Sequence, residues 1–271
     1  PESTKLYVLF GLLLGAVWGE YQKGYEFGKL ALNISQKYRN LNQKCKACMI
    51  LATSLVFWVK HIKHAHDISQ IGYQASVESG DLQYSGYILA SQLFNSLHQG
   101  VSIEKYLNEA NNSLKIINKN TNIFARDTIL AAKFCLFNLN GETKELPDFD
   151  IPELSESEYL QSCWQRKSYM PLFNYYTFKS FVLYLYNKPV EALETVIEAE
   201  KLKEFGISTI TVTDQNFFQS LILTTLYPAA TFAEQKQYWH QLERNQNQMR
   251  NWADNCDANF LHKYLIIEAE I

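Results

Sequence analysis

The chain has 271 residues, a formal net charge of −3, 47% hydrophobic and 20% charged residues. This composition excludes a disordered or fibrous chain, and the lack of net positive charge argues against a dedicated nucleic-acid binder, which is usually basic. Eleven glycines and six prolines are too few for the turns of an all-β sandwich or barrel.

In chain order, the longest apolar run is Leu6 to Trp18. It falls short of the roughly 20 residues that cross a ~30 Å hydrocarbon core. Only Lys5 precedes it, and Trp18-Gly19-Glu20 is a poor cleavage site, so it reads as a buried helix rather than a signal peptide. Tyr25, Phe27, Leu30, Ala31, Ile34 and Tyr38 form one helical stripe. Similar stripes occupy 43–62, 68–79, 83–98, 102–118, 124–139, 157–169, 172–186, 189–204, 213–226, 231–253 and 257–271. Gly80-Asp81, Gly100, Asn140-Gly141, Asn187-Lys188-Pro189 and Tyr227-Pro228 are stop signals. Ser155 and Glu158 predict a capping box, and Pro189 a first-turn proline. The β-branched stretch Ile207 to Thr213 has no strand partner and reads as an extended connection or a helix start.

The expected fold is therefore all-α: antiparallel helix pairs, about 12–13 helices, stacked as a degenerate tetratricopeptide-like α-α superhelix. The signs of repetition are Gly24-Tyr25-Glu26-Phe27-Gly28 against Gly72-Tyr73-Gln74-Ala75-Ser76, and the turn Glu78-Ser79-Gly80-Asp81 followed by Tyr84, Gly86 and Tyr87. The expected organisation is an N-terminal helical half (1–140), an acidic loop (141–153) and a C-terminal helical half (154–271). The chain opens on Pro1-Glu2-Ser3-Thr4 without Met and stops inside a helical pattern, so it is expected to be a segment of a longer protein.

Five scattered cysteines, Cys45, Cys48, Cys135, Cys163 and Cys256, read as reduced thiols of a cytoplasmic protein. Cys45-x2-Cys48-x12-His61-x4-His66 matches a zinc-finger spacing. A finger needs a hairpin for its cysteines, whereas Cys48 runs into a helical stretch, so no metal site is expected. His61, His64 and His66, with Lys60 and Lys63, read as a basic helix C-terminus that complements the dipole. Gly19-x4-Gly24 imitates half a P-loop but continues Tyr25-Glu26 rather than Lys-Ser/Thr. Asp148, Asp150, Glu153, Glu156 and Glu158 read as a solvated acidic loop. No nucleophile, metal or dinucleotide motif occurs, so no catalytic residue and no cofactor is assigned. Aromatic residues reach 14%. Most belong to the core, and the candidates to line a binding groove are Trp58, His61, Tyr73, Tyr84, Tyr87, Tyr175 and Tyr176. Without basic interleaving, stacking on single-stranded nucleic acid is not expected.

Ala233-Glu-Gln-Lys-Gln-Tyr-Trp239, Asn245-Gln246-x-Gln248-Met249, Trp252-Ala253, Asn259-Phe260-Leu261-His262-Lys263-Tyr264 and Glu268-Ala269-Glu270 resemble the helical region of large cyanobacterial signalling proteins. Those proteins join a serine/threonine kinase, an AAA-type (STAND) ATPase, a tetratricopeptide-like region, a GAF domain and a sensor histidine kinase. Gly24 to Leu32 and Gly72 to Ala75 look like earlier helices of the same region. The resemblance implies architecture and context, with partners in the other domains of the parent chain. It carries over no catalytic residue.

Three functions follow as expectations. The first is a non-catalytic sensor or scaffold region that binds a partner protein, peptide or small ligand and regulates linked ATPase and kinase domains. The second is a compact α-helical enzyme or ligand-binding domain with an aromatic cavity, using His61, Tyr73 or Tyr84. The third is a dimerisation module.

Overall fold

The computed structural model describes residues 3–141 and 147–271. Fourteen α-helices occur among them: α1 (Ser3–Leu12), α2 (Tyr21–Lys37), α3 (Leu41–Ile50), α4 (His64–Glu78), α5 (Leu82–His98), α6 (Ile103–Lys119), α7 (Ile123–Leu139), α8 (Glu156–Gln165), α9 (Tyr169–Leu185), α10 (Pro189–Lys201), α11 (Lys203–Gly206), α12 (Thr211–Leu226), α13 (Phe232–Asn255) and α14 (Asp257–Glu270). The fold is all-α, and the described residues contain no strand. The Ser155 cap forms as the sequence predicts, and further helix starts are capped by side chains. Asp81 accepts from the Tyr84 N–H (3.2 Å) and Ser102 from the Lys105 N–H (3.3 Å). Ser155 and Glu158 form a capping box, and Thr231 and Glu234 form a second. Residues 207–210 are an irregular connection, and α12 starts at Thr211.

Two compact units account for the chain: residues 1–130 with 207–210, and residues 131–206 with 211–271. The division falls within α7. The described part of the expected boundary loop, Gly141 and 147–153, lies in the second unit; 142–146 are outside the described residues, as are Pro1 and Glu2.

In the first unit each helix from α1 to α6 packs on its neighbour in sequence. Small residues sit where they cross. A Cβ on Gly24 would lie 2.6 Å from the Gly11 carbonyl oxygen and 2.9 Å from the Gly15 nitrogen, so α1 and α2 meet backbone to backbone. Gly72 plays the same part, since a Cβ there would lie 2.6 Å from Cys48 Cβ. The loose repetition of Gly24 to Gly28 in Gly72 to Ser76 thus marks two helix crossings. Val8, Ala31, Ala47, Leu51 and Leu55 form an apolar cluster beside them.

The helix expected over 43–62 is shorter than its apolar pattern. α3 passes into a π turn at Leu51–Leu55 and a 3-10 turn at Val56–Trp58. Two of its carbonyls find side-chain donors. Asn95 Nδ2 of α5 donates to the Ala52 oxygen (3.3 Å), and Trp58 Nε1 to the Ser54 oxygen (3.0 Å). A similar π turn, Leu13–Val17, follows α1. The histidine cluster is accordingly not a helix C-terminus. The helix has ended before His61, and His64 and His66 open α4. They therefore lie at the positive end of a helix dipole, where Asp67 in the first turn supplies the complementary charge.

In the second unit α9 packs on α10, α13 on α14, and α12 contacts α9, α10, α13 and α14. Residues on every side of α12 are buried, many of them polar: Thr213, Asp214, Gln215, Asn216, Gln219 and Ser220. Lys263 Nζ of α14 donates to Asp214 Oδ1 (2.6 Å) and Thr213 Oγ1 (3.2 Å). Asn245 Nδ2 of α13 donates to Gln219 Oε1 (3.0 Å) and Ser220 Oγ (3.1 Å).

The acidic segment is solvated only in part, with Asp150, Glu153 and Glu158 exposed and its apolar residues turned inward. Phe149 and Ile151 are buried, Glu153 pairs with Lys133, and Glu156 pairs with Lys179. Two lysines and two apolar side chains outweigh the reading from prolines and acids alone.

Candidate binding cleft

A concavity among the described residues belongs to the first unit. The Gly80 turn (φ +71°) returns the chain from α4 into α5, and the Gly100 turn (φ +74°) returns it from α5 into α6. The C-terminal half of α5 then floors a cleft of about 650 Å³, with α4 and α6 as walls. That volume lies in the range of ligand sites, roughly 300–1,000 Å³.

Leu89, Leu93 and Val101 give the floor its apolar part. One carboxamide comes from each of the three helices: Gln70 from α4, Gln92 from α5 and Asn112 from α6. None of the three has an internal hydrogen bond among the described residues, so each offers donors and an acceptor. The Ser96 hydroxyl is spent on its own helix, donating to the Leu93 oxygen (2.8 Å), and Gln99 Nε2 donates to the Asn95 oxygen (3.1 Å). Lys105 and Glu109 at the rim are 3.9 Å apart and exposed, a pair worth little by itself. The lining is therefore close to neutral and rich in amides. It suits a ligand that alternates donors and acceptors.

None of the aromatic candidates lines this cleft. Trp58 is buried and stacks on Tyr21 at 4.9 Å. Tyr175 is buried, and its hydroxyl donates to Glu156 Oε1 (2.6 Å). Burial, then the nearby Cys135 and Glu156, raise its pKa well above the ordinary tyrosine value. Trp58 and Tyr175 are thus core residues rather than groove residues. His61 is exposed, and its Nδ1 accepts from the Lys63 N–H (3.1 Å). Tyr73 and Tyr84 are half-buried against Cys45, Ala75 and Ile88. Tyr84 lies 5.6 Å from Tyr87, and Lys46 lies 5.2 Å from the Tyr84 ring centre. Burial raises the Tyr84 pKa, and the Asp81 carboxylate adds to that. Tyr176 is half-buried beside Tyr175 on α9.

The thiols of the zinc-like spacing are buried in α3, where burial raises Cys45 to about 11 and Cys48 to about 12. Among the described residues no three His, Cys, Asp or Glu side chains come together to hold a metal ion. No helix among them is long and apolar enough to cross a membrane.

The carboxamides were missed because a polar residue on one helix reads as ordinary solvated surface. Their signal is collective, one unpaired amide on each of three consecutive helices. No protein family, curated protein or solved structure matches the chain.

Proposed function

We propose that the chain is a non-catalytic helical recognition region whose first unit binds an extended, uncharged stretch of polypeptide. The observation that supports this is the cleft floored by α5, with free carboxamides Gln70, Gln92 and Asn112 above an apolar strip. A peptide backbone presents alternating N–H and C=O groups, and carboxamides satisfy both. The reading of residues 233–270 as similar to signalling proteins is the reason for proposing a regulatory setting for this recognition. Occupancy of the cleft would bias linked ATPase and kinase domains through differential affinity for their states.

The test is selection from a random-sequence peptide display library, followed by titration of the selected peptides. Gln92→Leu with Asn112→Leu should weaken binding at least tenfold, from the loss of about two hydrogen bonds. Tyr73→Phe, away from the cleft, should leave it unchanged. Peptides that bind the double variant as well as the parent, or a selection that yields none, would sink the reading.

A further inference from the structure

Between α7 and α8 the described residues 147–155 lie against helices of the second unit. The segment's internal order is slight: a single bridge in which Ile151 and Leu154 exchange backbone hydrogen bonds (3.2 and 3.1 Å), and an Asp150 N–H donating to Asp148 Oδ1 (3.0 Å). The start of α8 holds it, the Glu156 N–H donating to Asp150 Oδ1 (2.7 Å), and so do α7 and α9.

Those contacts have the form of peptide recognition. Asn138 Nδ2 of α7 donates to a main-chain oxygen, that of Asp148 (2.8 Å). Lys133 Nζ of α7 donates to both carboxylate oxygens of Glu153 (3.0 and 3.1 Å). The Lys179 ammonium of α9 sits 4.5 Å from the centre of the Phe149 ring. Phe149 and Ile151 are 4% and 5% exposed.

The salt bridge is lopsided. The Lys133 side chain is 4% exposed and the Glu153 side chain 62%. The cation belongs to the surface, and the anion is brought to it by the segment. Lys179 differs, because it also pairs with Glu156, which starts α8 outside the segment. If the segment lifted, Lys179 would keep a carboxylate and Lys133 would lose its own. The 4% exposure of Lys133 is that of the covered state, so lifting the segment would bare its ammonium without an anion, and an occupant that brings a carboxylate would restore both the pair and the cover.

We propose that the α7–α9 face is a second peptide-binding surface, occupied in this chain by its own residues 147–154 as an intramolecular ligand, with Ser155 staying behind as the cap of α8. Its partner in trans is an acidic peptide that turns as residues 151–154 do, with two apolar residues spaced like Phe149 and Ile151 and a carboxylate placed like Glu153. Such a peptide competes with the segment, so the surface is regulated by displacement. It is distinct from the cleft on the first unit, and neither test bears on the other.

The experiment titrates a labelled synthetic peptide of sequence Pro147 to Leu154 into three forms of the full chain, read by fluorescence anisotropy. In the wild-type chain the tethered segment should keep the peptide out. In Phe149→Ala with Glu153→Gln the peptide should bind at least tenfold tighter than to the wild type. Adding Lys133→Met should abolish that gain, as should a Glu-to-Gln change at the peptide's own acidic position. Circular dichroism checks that helix content is kept. If the double variant loses helix, Glu153→Gln alone replaces it. Equal affinity for the wild-type and weakened chains overturns the proposal, and so does binding that survives Lys133→Met.

Discussion

The interiors of the two units are built on opposite terms. In the first, helices fit because atoms are missing: Gly11 and Gly24 let α1 and α2 approach until backbones touch, and Gly72 lets α4 close on the Cys48 side chain. In the second, α12 fits because atoms are present, and its Asp214, Gln219 and Ser220 are matched by Lys263 and Asn245. A steric fit tolerates no added volume. A hydrogen-bonded fit tolerates no removed partner, since an unpaired buried polar group is expensive. The same fold class therefore contains two failure modes, and mutations separate them.

The largest effect is expected in the second unit. Lys263→Met strips Asp214 of its ammonium in a buried setting and should cost about 3–5 kcal/mol. In a chain of this size that lowers the Tm on the order of 10 °C. Adding Asp214→Leu should recover part of the loss, because it removes the buried charge that has lost its ammonium. Thermal unfolding of both variants checks this. A further fall in the double variant would mean that the pair is not the element at risk.

In the first unit the comparable change is an addition. Gly24→Ala puts a methyl where the Gly11 carbonyl already stands and should cost about 1–3 kcal/mol. Denaturant titration measures it. A neutral Gly24→Ala would show that α1 rides free of α2, and the steric description of this unit would fail.

The smallest effect concerns a surface feature. Thr231→Ala removes the cap of α13 and should lower the Tm by about 2–4 °C. The Thr231 hydroxyl and N–H both donate to Glu234, which holds that carboxyl below its usual value. A carboxyl with a depressed pKa stabilises the fold above its unfolded value of 4.5, and that contribution is lost as pH falls through the folded value. The gap between wild type and Thr231→Ala should therefore narrow as the pH is lowered below about 4.5. A gap independent of pH would assign the cap to the hydroxyl alone.

How legible these features are in sequence depends on whether they leave a period. Amphipathic helices such as α6 announce themselves, because one face is buried and one is wet. Residues 43–62 do not. Leu51, Ala52, Leu55, Val56, Phe57 and Trp58 are all buried, so nothing in the apolar pattern marks where the helix stops. The error propagates to His64 and His66, which move from the end of one helix to the start of the next. The segment 147–155 fails for another reason. Acids and prolines suggest solvent, and the lysines that neutralise Glu153 and Glu156 lie on α7 and α9, distant in sequence. The cleft is legible only in part. Its helices and turns follow from Gly80, Asp81, Gly100 and Ser102, but which polar positions converge depends on how α4, α5 and α6 pack.

The π turn at Leu51–Leu55 has a consequence for how this chain tolerates changes in length. A π turn holds one residue more than the α-helical turn it replaces. Deleting a residue there closes it into ordinary helix and leaves Phe57 and Trp58 facing the interior. Deleting a residue one turn earlier in α3, with no slack to absorb it, swings everything that follows by about 100° around the axis. The stretch works as an expansion joint, the place along α3 where chain length and side-chain direction are uncoupled.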